Sequence, residues 1–389
     1  MAETATLVCD GACPPQVVRR VSCPQERVQT ASAGAVAAHY GPMNPDHLNA
    51  WRPLQLSRDA TLVGLDGRAL QRDVAAGRSV RLRRGVSVDA TGWDDVSDRD
   101  RYFLRMRAVA STRLTDPVFS HQSAAAIWGL PIIGPWPDAV HLMAAGRKGV
   151  HSKNGVVWHH DRLGDGEVVE IGGMLVTGLL RTLVDLARTA HFLSAITSLD
   201  HGTKPRLVLP DGSLRPGIEK GALLDRLDSD GPLRGTRAAR VAILFSDTRS
   251  GSAGESLSRG QIHLCGFPAP ELQVRFVHAD GTVDITDYRW EQKQGPRTLF
   301  LLGEFDGYVK YTRNQYTHGR PIEEIVWDEK RREDRLRQTS GHGMTRWIWK
   351  MALVAAVMQR HLLEAGLRPE RRVPLLEAPR VARRAENRW

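Results

Sequence analysis

The sequence predicts an α/β protein of several domains: an N-terminal winged helix-turn-helix, an α/β middle domain and a C-terminal α/β domain with a central mixed sheet. Three observations point there. The 389 residues exceed one ordinary domain. Helical and strand periods alternate along the chain instead of segregating. Clusters of Pro and Gly then separate the patterned stretches. The expected divisions are a leader at 1–50, the winged helix at 51–95, the middle domain at 96–204 and a helical connector at 205–250. The C-terminal domain follows at 251–366 and a basic tail at 367–389.

Apolar residues make up 41% and charged residues 25%, an ordinary globular balance that excludes disorder throughout. No stretch approaches the roughly 18 to 20 uninterrupted apolar residues of a spanning helix. A positive segment followed by an apolar run is also missing from the N-terminus, so a cytoplasmic protein without membrane contact is expected. The net charge of +10 favours a polyanionic partner through counterion release, with DNA the natural candidate. Residues 1–42 are mostly small, polar and aperiodic, and Met43 follows them, which predicts a disordered leader or a true start at Met43. Cys9, Cys13, Cys23 and His39 match no standard finger spacing, so zinc is not expected.

From Trp51 the pattern begins. Leu65, Leu70 and Val74 recur near helical spacing, Arg68 and Arg72 lie on another face, and Gly77 is a plausible stop. Residues 79–88 then alternate apolar and basic around Arg84-Gly85, which predicts a hairpin with Arg81 and Arg83 on its outer face. Helix followed by basic hairpin reads as a winged helix. Arg68, Arg72, Arg81, Arg83 and Arg84 are its candidate DNA contacts.

In the middle domain, Ser120 as N-cap, Gly129 near the end and Pro131 beyond it bound a short helix. Strands are expected at 139–143 and 156–160, then a stronger helix at 177–190 with Leu180, Leu183, Val184 and Ala187 inward and an Arg181/Asp185 pair outward. His121, His159 and His160 lack acidic partners in the surrounding sequence, so they are expected to be structural or surface residues.

The chemistry concentrates in the last domain. Ser252 to Glu255 has capping-box spacing, so Glu255 either satisfies a backbone donor or offers a carboxylate to a metal. Asp280-Gly281 marks a hairpin turn. Within its second strand Asp284 and Asp287 fall on opposite faces, and Asp287, before Tyr288 and Trp290, is the preferred candidate. The apolar run 299–302 implies a buried central strand ending in Glu304 and Asp306, two acids on one side. Lys310 follows. Such hard oxygen donors suit a divalent cation beside a phosphodiester. Arg331, Arg332 and Arg335 on the next charged helix are candidate grips on a DNA backbone.

The stretches 70–78, 80–86, 120–131 and 177–187 resemble the AbiEi-type antitoxin family. That resemblance implies promoter binding by the N-terminal winged helix and a nucleotidyltransferase toxin as partner. The stretches 254–259, 287–290, 303–307 with Lys310 and Tyr311, and 327–336 resemble the restriction-endonuclease-like PD-(D/E)xK superfamily, in its very-short-patch-repair-like branch. This implies a Mg²⁺-dependent endonuclease, with Asp287, Glu304 and Glu255 holding one or two Mg²⁺ ions. The superfamily's final lysine would stand where this chain has Asp306, leaving the water-activating group open between Asp306, Lys310 and a metal-bound water. The expected function is Mg²⁺-dependent DNA cleavage; the alternative is a noncatalytic antitoxin or transcriptional repressor.

Overall fold

The computed structural model describes residues 52–62, 66, 68–144, 151–210, 212–307 and 322–371. Cys9, Cys13, Cys23, His39, Met43, Lys310 and the tail beyond 371 lie outside the described residues. The described chain is mixed α/β, and within it no helix is long and apolar enough to cross a membrane.

The first lobe has β1 (Gln55–Leu56), α1 (Ser57–Leu62), α2 (Ala69–Ala75), β2 (Ser79–Arg83) and β3 (Val86–Asp89), the strands in antiparallel order β1-β3-β2. Gly77 and Gly85 take the positive φ expected of a helix stop and a tight turn. The hairpin departs from simple alternation, because its register shifts between Arg81 and Arg83. Arg81 is exposed, whereas Arg83 is half-buried. Burial and the neighbouring Arg113 both lower the Arg83 pKa. The expectation that Arg81 and Arg83 share the outer face is therefore corrected.

The middle lobe follows with α3 (Asp98–Ser111), α4 (His121–Trp128), β4 (Val140–Met143), β5 (Val156–His159), β6 (Val168–Ile171), β7 (Met174–Thr177), α5 (Leu179–Thr189) and α6 (Phe192–Gly202). A two-residue ribbon, β8 (Leu207–Val208) and β9 (Leu214–Arg215), leads to α7 (Lys220–Ser229) and α8 (Thr236–Phe245). Phe119 joins the parallel pair β4-β5 to the antiparallel pair β6-β7, since it bridges Leu142 on one side and Val176 on the other. Leu183, Val184, Leu142, Val176, Ile196 and Ile243 belong to one apolar core, which fixes the helices against these strands.

The last lobe comprises α9 (Ala253–Leu264), β10 (Glu271–Val277), β11 (Val283–Gln294), β12 (Arg297–Asp306), α10 (Ile322–Ser340), β13 (Gly343–Ile348), α11 (Trp349–Ala352) and α12 (Ala355–Glu364). Its sheet has the order β10-β11-β12-β13, antiparallel except for the parallel pair β12-β13. The mixed sheet expected from the sequence is present, and β12 is interior as its apolar run required. Tyr288 pairs with Gly303 and Trp290 with Leu301, so these residues share the face that meets α9. Trp347 from β13 completes an aromatic layer, with ring centroids 5.2 Å from Tyr288 and 6.5 Å from Trp290.

Two glycines permit this close packing. A Cβ on Gly303 would stand 2.7 Å from the Trp347 ring and 2.8 Å from the Trp290 ring. One on Gly254 would stand 2.0 Å from Phe305. Gly254→Ala is accordingly expected to destabilise the protein by about 1–3 kcal/mol through overpacking. A thermal melt unchanged from wild type would contradict that.

The lobes are joined, not merely adjacent. A Cβ on Gly260 of α9 would lie 2.5 Å from Ile196 and 2.7 Å from Leu193, so α6 and α9 cross closely. Beside that crossing Arg259 places Nη2 2.8 Å from Asp200 Oδ2 and 3.0 Å from its Oδ1. Arg259 also donates to the Phe245 carbonyl at 2.8 Å and lies over the Phe245 ring at 4.3 Å.

Candidate functional site

The site begins with the fork between β11 and β12. Their ladder ends at Tyr288 opposite Gly303. One residue beyond, the Asp287 carboxylate Oδ2 accepts the Phe305 N–H at 2.8 Å, a task a backbone carbonyl performs elsewhere in a sheet. Its Oδ1 lies 3.4 Å from Gln273 Nε2, and the same amide donates to Glu255 Oε2 at 2.8 Å. Gln273 has φ of 54°, an uncommon conformation for a non-glycine residue inside a strand. It thereby connects acids from α9 and β11.

Ser252 caps α9 as its spacing predicted, with Oγ accepting the Glu255 N–H at 3.2 Å. The Glu255 carboxylate reaches back to the Gly251 N–H at 2.7 Å. Tyr288 OH donates to the Glu255 carbonyl at 2.8 Å, and burial foremost, then Glu255 and Asp287, pushes its pKa well up. Glu255 thus has a capping role and also stands beside Asp287 through Gln273.

Glu304 and Asp306 share a neighbour, as two acids on one side of a strand should. Arg346 on β13, in register with Glu304, brings Nη2 3.0 Å from Glu304 Oε2 and Nη1 3.8 Å from Asp306 Oδ2. From α10, Arg332 Nη2 lies 2.5 Å from Glu304 Oε1. Glu304 is only 6% exposed, yet Oε1 has no aligned hydrogen-bond donor. Its contact with Arg332 is Coulombic rather than directional.

Asp284 has a different environment. It is buried against His278 Nε2 at 2.8 Å and against Arg335, whose Nε and Nη2 lie 3.2 and 3.1 Å from its two oxygens. Of the three arginines expected to grip DNA from this helix, Arg331 is exposed, whereas Arg332 and Arg335 point into the acid network. Arg346 was not singled out by sequence reasoning, because its role comes from the parallel register of β13.

Mg²⁺ takes hard oxygen donors, and the carboxylates of Glu255, Asp287, Glu304 and Asp306 are of that class. The buried Glu304 Oε1 without a directed donor is an oxygen such an ion could use. The donor chemistry fits, although protein groups occupy each acid in this arrangement. Among the described residues no group of three His, Cys, Asp or Glu side chains is arranged to hold a metal ion.

In the first lobe, Arg68, Arg81 and Arg84 are exposed, while Arg72 pairs with Asp66 at 2.7 Å. Arg81 and Arg84 line a cavity of about 280 Å³ with Ser57, Leu70, Gln71, Val74, Gly85 and Ser87. The structure brings these two basic side chains to one groove beside α2.

The middle lobe contains a cluster that sequence reasoning missed. His121 and His159 stack with centroids 3.5 Å apart, and His141 Nδ1 lies 2.9 Å from His159 Nε2. His121 has φ of 50° and lies 3.9 Å from Asp185, whose carboxylate accepts Arg181 Nε at 2.9 and 3.0 Å. The outward placement expected for Arg181 and Asp185 is wrong: both are buried. Arg181 turns inward because it also donates Nη1 to the Arg162 carbonyl at 2.7 Å. Acidic neighbours therefore come from α5 and, for His159, from Asp161, which raises its pKa against the larger lowering by burial. His160 is exposed, as expected. A histidine-by-histidine pattern could not reveal the cluster, because its members come from separate elements.

No family model matches the chain, and no curated protein matches. Among solved structures, the crystal structure of the RV2827C protein from Mycobacterium tuberculosis is similar at a TM-score of 0.33 and 16% identity, covering 56% of this chain and 78% of that one. The likeness is too slight to establish a shared fold.

Proposed function

We propose that this chain is a DNA-binding protein whose last lobe hydrolyses phosphodiester bonds with Mg²⁺. The supporting observation is the forked sheet edge at which Asp287 accepts the Phe305 N–H and connects through Gln273 to Glu255, with Glu304 next in the chain to Phe305. Asp287, Glu304 and Glu255 would hold the ion. When bound, it supplies an activated water and neutralises charge developing on phosphorus. The protein's own part is to hold the carboxylates at the fork and to offer arginines to the DNA backbone from α10 and the N-terminal hairpin. Arg81 and Arg84 beside α2 fit the phosphate contacts of a winged helix.

One observation favours a second reading, a noncatalytic antitoxin or repressor. Glu304 is neutralised by Arg332 and Arg346, an arrangement that a purely structural ion network also requires. A nucleotidyltransferase toxin would be the partner in that case. Nicking of supercoiled DNA with Mg²⁺ discriminates the two. Wild-type protein is expected to nick, and Asp287→Asn and Glu304→Gln are expected to lose nicking while still binding duplex DNA. Equal inactivity of all three, with promoter binding retained, would establish the repressor instead.

A further inference from the structure

We infer that Arg332 couples metal binding to phosphate binding, by holding Glu304 when neither is present and moving to a DNA phosphate when an ion takes the carboxylate. The inference rests on the metal-dependent reading and concerns how that site is regulated. Glu304 is one buried negative charge facing two guanidinium groups, so a divalent cation arriving at Oε1 meets Arg332 first. Arg332 stands 2.5 Å from Oε1, the carboxylate oxygen without an aligned hydrogen-bond donor, and Arg346 stands 3.0 Å from Oε2. An ion taking Oε1 therefore displaces Arg332 and leaves Arg346 at the other oxygen.

Arg332 also has other partners at hand. It donates Nη2 to the Ile285 carbonyl at 2.5 Å, and its Nε lies 3.8 Å from Asp284 Oδ1. These contacts keep the side chain near the fork after release, and its partial exposure gives it a route to an anion outside. A planar guanidinium displaced from a carboxylate is well matched to phosphate oxygens, which it binds by two parallel hydrogen bonds. Metal and phosphate then favour the same state. By linkage, each strengthens the other by one common factor.

The test uses the full chain and Mn²⁺ as probe, with free ion measured by electron paramagnetic resonance in the absence of DNA. Arg332→Met is expected to bind Mn²⁺ about tenfold more tightly than wild type, within the usual range of coupling between sites. Arg335→Met removes the same charge from the same helix without touching Glu304, and it should stay within about twofold of wild type on that scale. Arg332→Lys, which keeps the charge and guards against a folding artefact, should fall between wild type and Arg332→Met.

Equal affinity in wild type, Arg332→Met and Arg335→Met, abolished in each by adding Glu304→Gln, would overturn the coupling but leave the metal site standing. An equal gain in both methionine variants would also overturn it, by assigning the effect to net charge. If no variant takes up Mn²⁺ through Glu304, the metal-dependent reading fails and the coupling fails with it.

Discussion

Arg259→Ala is expected to destabilise the protein by about 3–5 kcal/mol, because it leaves the buried Asp200 carboxylate without its guanidinium. Asp200 is 1% exposed and accepts two hydrogen bonds from Arg259, and the Asp247 N–H donates to it at 2.7 Å. The loss should reach both neighbouring lobes, since the pair joins α6 to α9. Urea unfolding measures the effect. The combined change Asp200→Asn with Arg259→Met is expected to cost less than the two single changes added together, because neither partner is then left as a lone buried charge. A loss below about 1 kcal/mol for Arg259→Ala would mean that the pair behaves like a solvated surface bridge.

Acidification is expected to weaken the middle lobe well before ordinary carboxylate protonation. Burial, with His159 adding to it, lowers the His141 pKa to about 4; burial also lowers that of His159 to about 4, with Arg181 adding and Asp161 opposing. His121 is depressed to about 2, by burial first and then by His159 and His141. Above the ordinary value of 6.5 these rings are neutral in folded and unfolded chains alike. As pH falls below it, the unfolded chain takes up protons that the native cluster refuses, and stability drops.

Asp185 works in the opposite direction. Burial raises its pKa to about 6 against the lowering influence of Arg181, so the folded state binds a proton there first as the solution turns acid. Three depressed imidazoles against one raised carboxyl leave a net loss. It is on the order of 4 kcal/mol between pH 7 and 5. Urea midpoints at pH 7.5, 6 and 5 would record it, and a midpoint that stays level or rises toward pH 5 would refute the cluster's role.

The sequence carried much of the framework and less of the site. Ser252 and the Asp280-Gly281 turn are local signals, so the start of α9 and the β10-β11 hairpin were legible from short stretches. The apolar run 299–302 likewise identified β12 as an interior strand. Asp287 was distinguishable from Asp284 by strand alternation, but its acceptance of the Phe305 N–H was not, since that depends on where two strands part. Arg346 and Gln273 were invisible for the same reason: one depends on the register of a parallel pair, the other on a left-handed residue within a strand. Arg181 and Asp185 show the limit of helical periodicity. An i,i+4 ion pair looks like a solvated face until a third element covers it.

The tight crossing of α6 and α9 has a consequence for modular use of this chain. A fragment beginning at residue 251 would carry Gly260 and Arg259 but leave behind Leu193, Ile196 and Asp200, exposing a small-residue groove and stranding a cation. The forked sheet is therefore not a portable cassette. Any transplant of it needs the preceding helical layer as its other half.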